Sequence, residues 1–298
     1  MTVTPADQTV SSLVLGSRWR RATQFTLGHG WARTTAVVGI CMLLLIAIAA
    51  PLITAYDPIA IDPTAALHSP STTHPFGTDQ LGRDVFSRTV YAARIDLMIG
   101  FFGVTIPLIL GCGVGLVSGY VGGWLDIITG RIIDVVTAFP FLVLVIAIVA
   151  MLGPGLINLF IAISLVSWVS YARIVRGQTL MVKNSDYVVA GRSLGFGPLR
   201  LMGRHILPNV VAPAFVFASS DFVLNIIAGA SLGFFGLGVP APTPEWGVMI
   251  AEGRSFIIDA PWIVLFPGLA VIVVSFFFGL MGDVVADSVR RMGSEDVA

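Results

Sequence analysis

The chain has 298 residues, of which 56% are hydrophobic and 11% charged, and its formal net charge is zero. A mean hydropathy of +0.90 excludes an ordinary water-soluble domain of this length, which needs far more polar surface. Neutrality without a basic cluster likewise excludes nucleic acid as a partner, because holding phosphates needs grouped Lys and Arg. What remains is a protein whose solvent is the lipid bilayer.

In chain order, residues 1–33 are polar and carry Arg18, Arg20, Arg21 and Arg33. The apolar run behind them is too long for a signal peptide, so they are expected to form a tail rather than a cleaved leader. No charge occurs between Arg33 and Asp57, and about 20 apolar residues cross a hydrocarbon core of about 30 Å. A first transmembrane helix is therefore expected over 34–55, followed by a loop over 56–93. The uncharged interval from Leu97 to Leu125 predicts a second helix. The interval from Val135 to Ala172 is too long for one crossing, and Leu152-Gly153-Pro154-Gly155 divides it into a third and a fourth. A fifth follows Pro208 to about Gly238, interrupted by Asp221, and a sixth occupies Ala260 to Gly282. The expected fold is an all-α integral membrane protein with six transmembrane helices, since open sheet edges go unsatisfied in lipid. Five of the helices make a core over 94–288, and 289–298 is a second tail.

Of the 17 Lys and Arg residues, 13 fall in the two tails, the 2-3 loop and the 4-5 loop, and 4 in the remaining connections. The positive-inside rule then places both termini and the segment 184–208 in the cytoplasm, and 56–93 outside.

That segment is the most polar part of the core. Asn184, Ser185 and Asp186 offer N-caps, Tyr187 to Leu194 make two helical turns, and Gly195 suits the left-handed position that ends them. Pro198 fits the first turn of a second helix, and Pro208 is expected to force a new start before the fifth span. By spacing alone the segment is either a basic amphipathic loop on anionic headgroups or a docking knob for a cytoplasmic protein.

The stretch Val189-Ala190-Gly191, then Gly195, then His205, Leu207 and Pro208, resembles the pattern E-A-A-x3-G-x9-I-x-L-P. That pattern marks the cytoplasmic loop of permease subunits in binding-protein-dependent ABC importers. HPFGTDQLGRDVFSR (74–88), GRIIDVVTAFPFLVLVI (130–146), APTPEWGVMI (241–250) and RHILPN (204–209) are similar to the family's dipeptide, oligopeptide and nickel branch, C-type subunit. The resemblance covers most of the chain from about 30 to 290 and implies the type I importer permease fold. It implies a subunit of the bacterial inner membrane that makes the path for di- or oligopeptides, or alternatively for nickel or another small solute. Its implied partners are a second, homologous permease, two ATPase subunits and an extracytoplasmic substrate-binding protein. It also implies that 184–208 is the coupling helix seated in an ATPase cleft, with Ser185, Tyr187, Val189, Ala190, Gly191, Arg192, Gly195, Arg204, His205, Leu207 and Pro208 at the contact. Two departures matter: Val189 replaces the usual Glu, and Gly191 the second Ala.

The only lysine, Lys183, is followed by Asn184, so no G-x4-G-K-[ST] loop exists to cradle phosphates. Catalytic residues are not expected, this chain is expected to bind no cofactor or metal, and ATP and Mg belong to the partner ATPases. An ion-coupled secondary transporter would share the hydropathy but would need no ATPase. Gly229 to Gly233 satisfies G-x-S-x-G, but within a helix and with His29, His68, His74 and His205 all outside the spans, so Ser231 lacks a base. Helix packing explains those glycines, the run Gly111, Gly115, Gly119, Gly123, and the apolar settings of Cys41 and Cys112. His74, Asp79 and Asp84 match no common metal spacing and are expected to shape a structured loop. Asp126, Arg131 and Asp134 are expected to act structurally, with Arg131 and Asp134 spaced to pair, and Phe139-Pro140 to bend the helix beyond them.

Asp221 lies 13 positions after Pro208, about 20 Å along a helix, near mid-bilayer. It is expected either to line the passage and meet a substrate ammonium, or to be a partnered carboxyl at a subunit interface. The resemblance places Glu245 and Trp246 at the outer mouth.

Overall fold

The computed structural model describes residues 30–295, with side chains described to 288; the expected N-terminal tail lies outside the described residues except for 30–33, while 289–295 of the expected C-terminal tail continue the last helix. Every regular element among them is helical. The first helix, α1, runs Gly30–Ile48 and is continued by a single turn, Ala50–Ile53. Next come α2, Val85–Val121, α3, Gly123–Thr137, α4, Phe141–Leu152, and α5, Leu156–Val182. A short α6, Asp186–Ser193, leads through a connecting segment to α7, Ala212–Phe234. The last two are α8, Trp246–Gly253, and α9, Trp262–Glu295.

Among the described residues, five helices are individually long and apolar enough to cross a membrane: α1, α2, α5, α7 and α9. The pair α3 and α4, bent by 91° at the break between them, passes the same test when its two halves are taken together, and counted as one broken span it makes a sixth. Pro140 supplies the reason, since it follows the last turn of α3, cannot donate to it, and opens α4. The bend expected at Phe139-Pro140 is thus a near right angle rather than a kink.

Several helices extend past the uncharged intervals used to place them. The second begins at Val85, not Leu97, because Asp84 accepts a hydrogen bond from the Ser87 amide (2.7 Å) and because Arg88 and Asp96 are buried within the fold. The third span begins at Gly123, and α5 runs on through Arg173 and Arg176 to Val182. Pro208 does not start a new helix. It sits inside the turn Leu207–Val210, and the break falls at Val211, with Pro213 in the first turn of α7.

The centre of the fold is α2 against α5. Gly111, Gly115 and Gly119 let the two backbones approach: a Cβ on Gly115 would lie 2.5 Å from the Ala172 carbonyl oxygen, and one on Gly119 2.9 Å from the Thr179 Cβ. Gly123 departs from this stripe. With φ +62° beside Gly122 at +71° it makes the turn that ends α2, and no atom crowds it. The Arg131 pairing does not form either, since α5 takes the acids of α3. Arg176 Nη2 donates to Asp126 Oδ2 at 2.9 Å, and Arg173 lies 3.8 Å from Asp134.

Candidate functional site

Segment 184–208 is anchored from within. Val188, Leu201 and Ile206 are fully or almost fully buried, and they fix α6 against the turns that follow it. Helix α6 ends as the sequence suggests: Gly195 has φ +78°, the Gly195 amide donates to Arg192 O (3.0 Å), and the Phe196 amide to Gly191 O (3.1 Å). That pair of bonds is the Schellman arrangement, which satisfies two carbonyls at the helix end. Ser185 occupies the N-cap position, but its hydroxyl donates back to Val182 O (2.7 Å) instead of capping.

Gly191 has a local reason to be small. A Cβ there would lie 2.9 Å from Leu201 Cδ2 and 3.3 Å from the Phe196 ring. Beyond it, Leu201–Ile206 is a π-helical turn, with the Leu207 amide reaching back to Met202 O. Pro208 cannot donate and would crowd the carbonyl four residues earlier, so the chain widens by one residue per turn just ahead of it. Phe196 stacks on His205 (centroids 5.5 Å apart) and carries Arg200 above its other contacts at 4.0 Å.

The outer surface of this segment is apolar to an unusual degree for a polar stretch. Tyr187, Val189, Leu194 and Leu199 are exposed, Leu199 at 83%, and so are Ala190, Arg192, Gly195, Arg204 and Pro208. Leu207 and His205 are half-buried. Val189 is thus an outward-facing position, not one filled to complete the interior.

At mid-span, Asp221 is buried (6% exposed) and sits nine residues into α7, about 14 Å from its start. The Tyr171 hydroxyl donates to its Oδ2 at 2.8 Å, and Asn225 Nδ2 donates to the same oxygen at 3.2 Å. Asn225 also donates to Gly103 O (3.1 Å), joining α7 to α2. Asp221 therefore has partners inside the chain, and it also lines a cavity at the α3/α4 break. Asn225, one turn away, was findable from helical spacing; Tyr171, fifty positions earlier, left no such trace.

The family of binding-protein-dependent transport system inner membrane components matches residues 111–291, more than half the chain. The chain belongs to that family. Among similar proteins, a dipeptide transport system permease protein of Alkalihalophilus pseudofirmus is 44% identical over 85% of this chain and 84% of its own length. A probable D,D-dipeptide transport system permease protein of Escherichia coli is 41% identical over 85% of each chain. A glutathione transport system permease protein of Pectobacterium atrosepticum is 40% identical over 91% of this chain and 88% of its own. Membership makes this a multi-pass membrane permease of the ABC importer class and not an enzyme. Ser231 agrees with that: its hydroxyl donates to Ile227 O (2.7 Å) inside α7 rather than standing on an elbow.

At the other end of the permease, Glu245 and Trp246 are each 1% exposed, so neither lines an open surface. Glu245 caps α8 by accepting from the Gly247 (2.7 Å) and Val248 (2.9 Å) amides. Burial pushes its carboxyl up to about 7 against those donors. Trp246 donates from its ring to Thr89 O (3.0 Å) and from its amide to Asp96 (3.2 Å), pinning α8 to α2. Asp79 holds Arg83 at 2.6 Å, and Glu252 of α8 takes both Arg83 (2.7 Å) and Arg88 (3.0 Å). His74 meets Asp84 at 2.9 Å, while Asp84 also caps α2. The loop acids are thus spent on arginines, a histidine and a helix end.

Proposed function

We propose that this permease imports di- or oligopeptides as one half of a translocation path, driven by ATP hydrolysed, with Mg, in separate ATPase subunits docked on 184–208. A second, homologous permease forms the other half, and a binding protein outside delivers the cargo. In this reading both termini and α6 lie on the cytoplasmic side of a bacterial inner membrane. The observation that carries the coupling role is an exposed apolar face, Tyr187, Val189, Leu194 and Leu199, built on a completed interior. A water-facing loop gains nothing by exposing four large apolar side chains unless a partner covers them. The peptide cargo is supported by relatives named for dipeptide and glutathione transport.

In this reading Val189 compensates for the family's glutamate by contributing apolar area instead of a charge-assisted bond. The ATPase cleft should then be apolar opposite it. Gly195→Trp tests the docking: position 195 is exposed at φ +78°, where a bulky residue is both strained and in the way. The variant is expected to insert into the membrane but to lose peptide-stimulated ATP hydrolysis in the assembled transporter. Unchanged stimulation would remove 184–208 from the coupling role, and gentle purification of the wild type without any ATPase would remove the importer reading itself.

A further inference from the structure

The cavity at the α3/α4 break is about 360 Å³, within the about 300–1,000 Å³ range of small-molecule sites. Its walls include Phe139 and Phe141 from the break, Ser167 and Ser170 from α5, and Phe217 and Asp221 from α7. Both donors to Asp221 converge on Oδ2, and among the described residues no hydrogen bond reaches Oδ1. Ser167 is 4% exposed, and its hydroxyl has no hydrogen-bond partner. The wall thus holds two polar groups that need something from outside the chain: a carboxylate oxygen that accepts, and a hydroxyl that can donate or accept. Arg173, on the same helix as the serines, is tied to Thr137 (2.9 Å) and Asp134, so its charge is already committed.

An anionic guest would meet the Asp221 carboxylate with like charge, and a purely apolar one would leave both groups unsatisfied. A primary ammonium has three donors and a compact charge, and three aromatic rings line the walls beside it. We propose that this cavity is a cation subsite in which Asp221 Oδ1 and Ser167 Oγ hold the free N-terminal ammonium of a peptide in transit. Resting on the peptide-import function proposed above, it adds the group by which the permease, as distinct from a binding protein, recognises its cargo. Its place at the 91° break puts the bound ammonium against the joint between two half-spans.

The test uses the complete transporter in lipid nanodiscs, with Cys41→Ser and Cys112→Ala removing the native thiols and Ser170→Cys reporting from the cavity wall. The cationic reagent 2-aminoethyl methanethiosulfonate is expected to react at least tenfold faster than its anionic sulfonatoethyl counterpart, relative to the two rates with free cysteine. Asp221→Asn should remove most of that preference, and an unmodified dipeptide should slow labelling where its N-acetyl form does not. Equal preference with and without Asp221 would overturn the subsite. Ser167→Ala removes only the unpartnered hydroxyl, and is expected to weaken dipeptide protection at least threefold; undiminished protection would also count against it. In uptake, Asp221→Asn should lower the maximal rate about tenfold while leaving the half-saturating peptide concentration unchanged. A wild-type transporter that imports no peptide would sink the proposed function alone, because the charge preference of labelling would still decide whether the cavity selects cations.

Discussion

At the end of the permease that holds α8, the charges are inside: Asp79, Arg83, Asp84 and Arg88 are each no more than 3% exposed, and each finds its counterpart in the chain. At the end that holds α6, large apolar side chains are outside, and the interior beneath them is already closed by Val188, Leu201 and Ile206. Each end breaks the simple rule of polar out and apolar in, but in opposite senses. Buried matched charges mark architecture that one chain completes for itself. Exposed apolar groups over a finished core are, in the function proposed above, architecture that another protein completes.

Substitutions should separate the two ends. The largest effect is expected from Arg88→Ala, which strips a 1%-exposed guanidinium from Glu252 and Asp79. Breaking such a buried pair costs about 3–5 kcal/mol, and thermal unfolding in detergent should fall accordingly. Gly233→Ala comes next: its Cβ would run into Glu245 Oε2 and lie 3.1 Å from the Val248 amide. A cost of about 1–3 kcal/mol is expected for that overpacking, with ATPase binding retained. A loss of ATPase binding at unchanged stability, from either variant, would collapse the distinction between the ends.

Acidity provides a third comparison. Glu245, held at about 7 against an ordinary 4.5, keeps its proton in the folded chain where the unfolded chain has lost it. Stability from this group is therefore greatest below about pH 4.5, declines as pH rises towards 7, and is level above. Glu245→Gln should flatten that part of the stability profile; a slope unchanged in the variant would assign it elsewhere. The smallest effects on stability belong to Tyr187→Ala and Val189→Ala, expected within about 0.5 kcal/mol because both side chains are exposed. Those same variants should weaken co-purification of the ATPase, which pull-down from gently solubilised membranes would measure.

Much of this fold was legible because lipid imposes a coarse pattern: apolar runs of span length gave the helices, and Gly153 and Pro140 marked real breaks. The ends of helices were less legible wherever a charge is buried. Arg88, Arg94 and Asp96 read as the edge of a loop, yet they belong to α2, with Arg94 donating to Ala47 O (2.6 Å) and Ile48 O (2.8 Å) at the end of α1. In the loop at 184–208, local turn chemistry at Gly195 could be read directly, whereas the π turn before Pro208 could not, because it follows from a clash between carbonyl and ring. The Asp221 cavity was half legible. Its acid stood out by cost, while Tyr171 and Ser167 come from another helix and carry no mark of their neighbour.

Helix α2 is 37 residues long, about 56 Å, against a hydrocarbon core of about 30 Å. One end lies among the arginines that Glu252 gathers, and the other reaches Gly119, whose carbonyl accepts a bond from Lys183 (3.0 Å), three residues before α6. A single helix is therefore long enough to reach both surfaces of a membrane. Tilting it by about 5° displaces one end by about 5 Å relative to the other, simple leverage on a helix of that length. A push delivered beside α6 would thus be felt at the Arg83 and Arg88 cluster as displacement, with no relay of side chains needed between them.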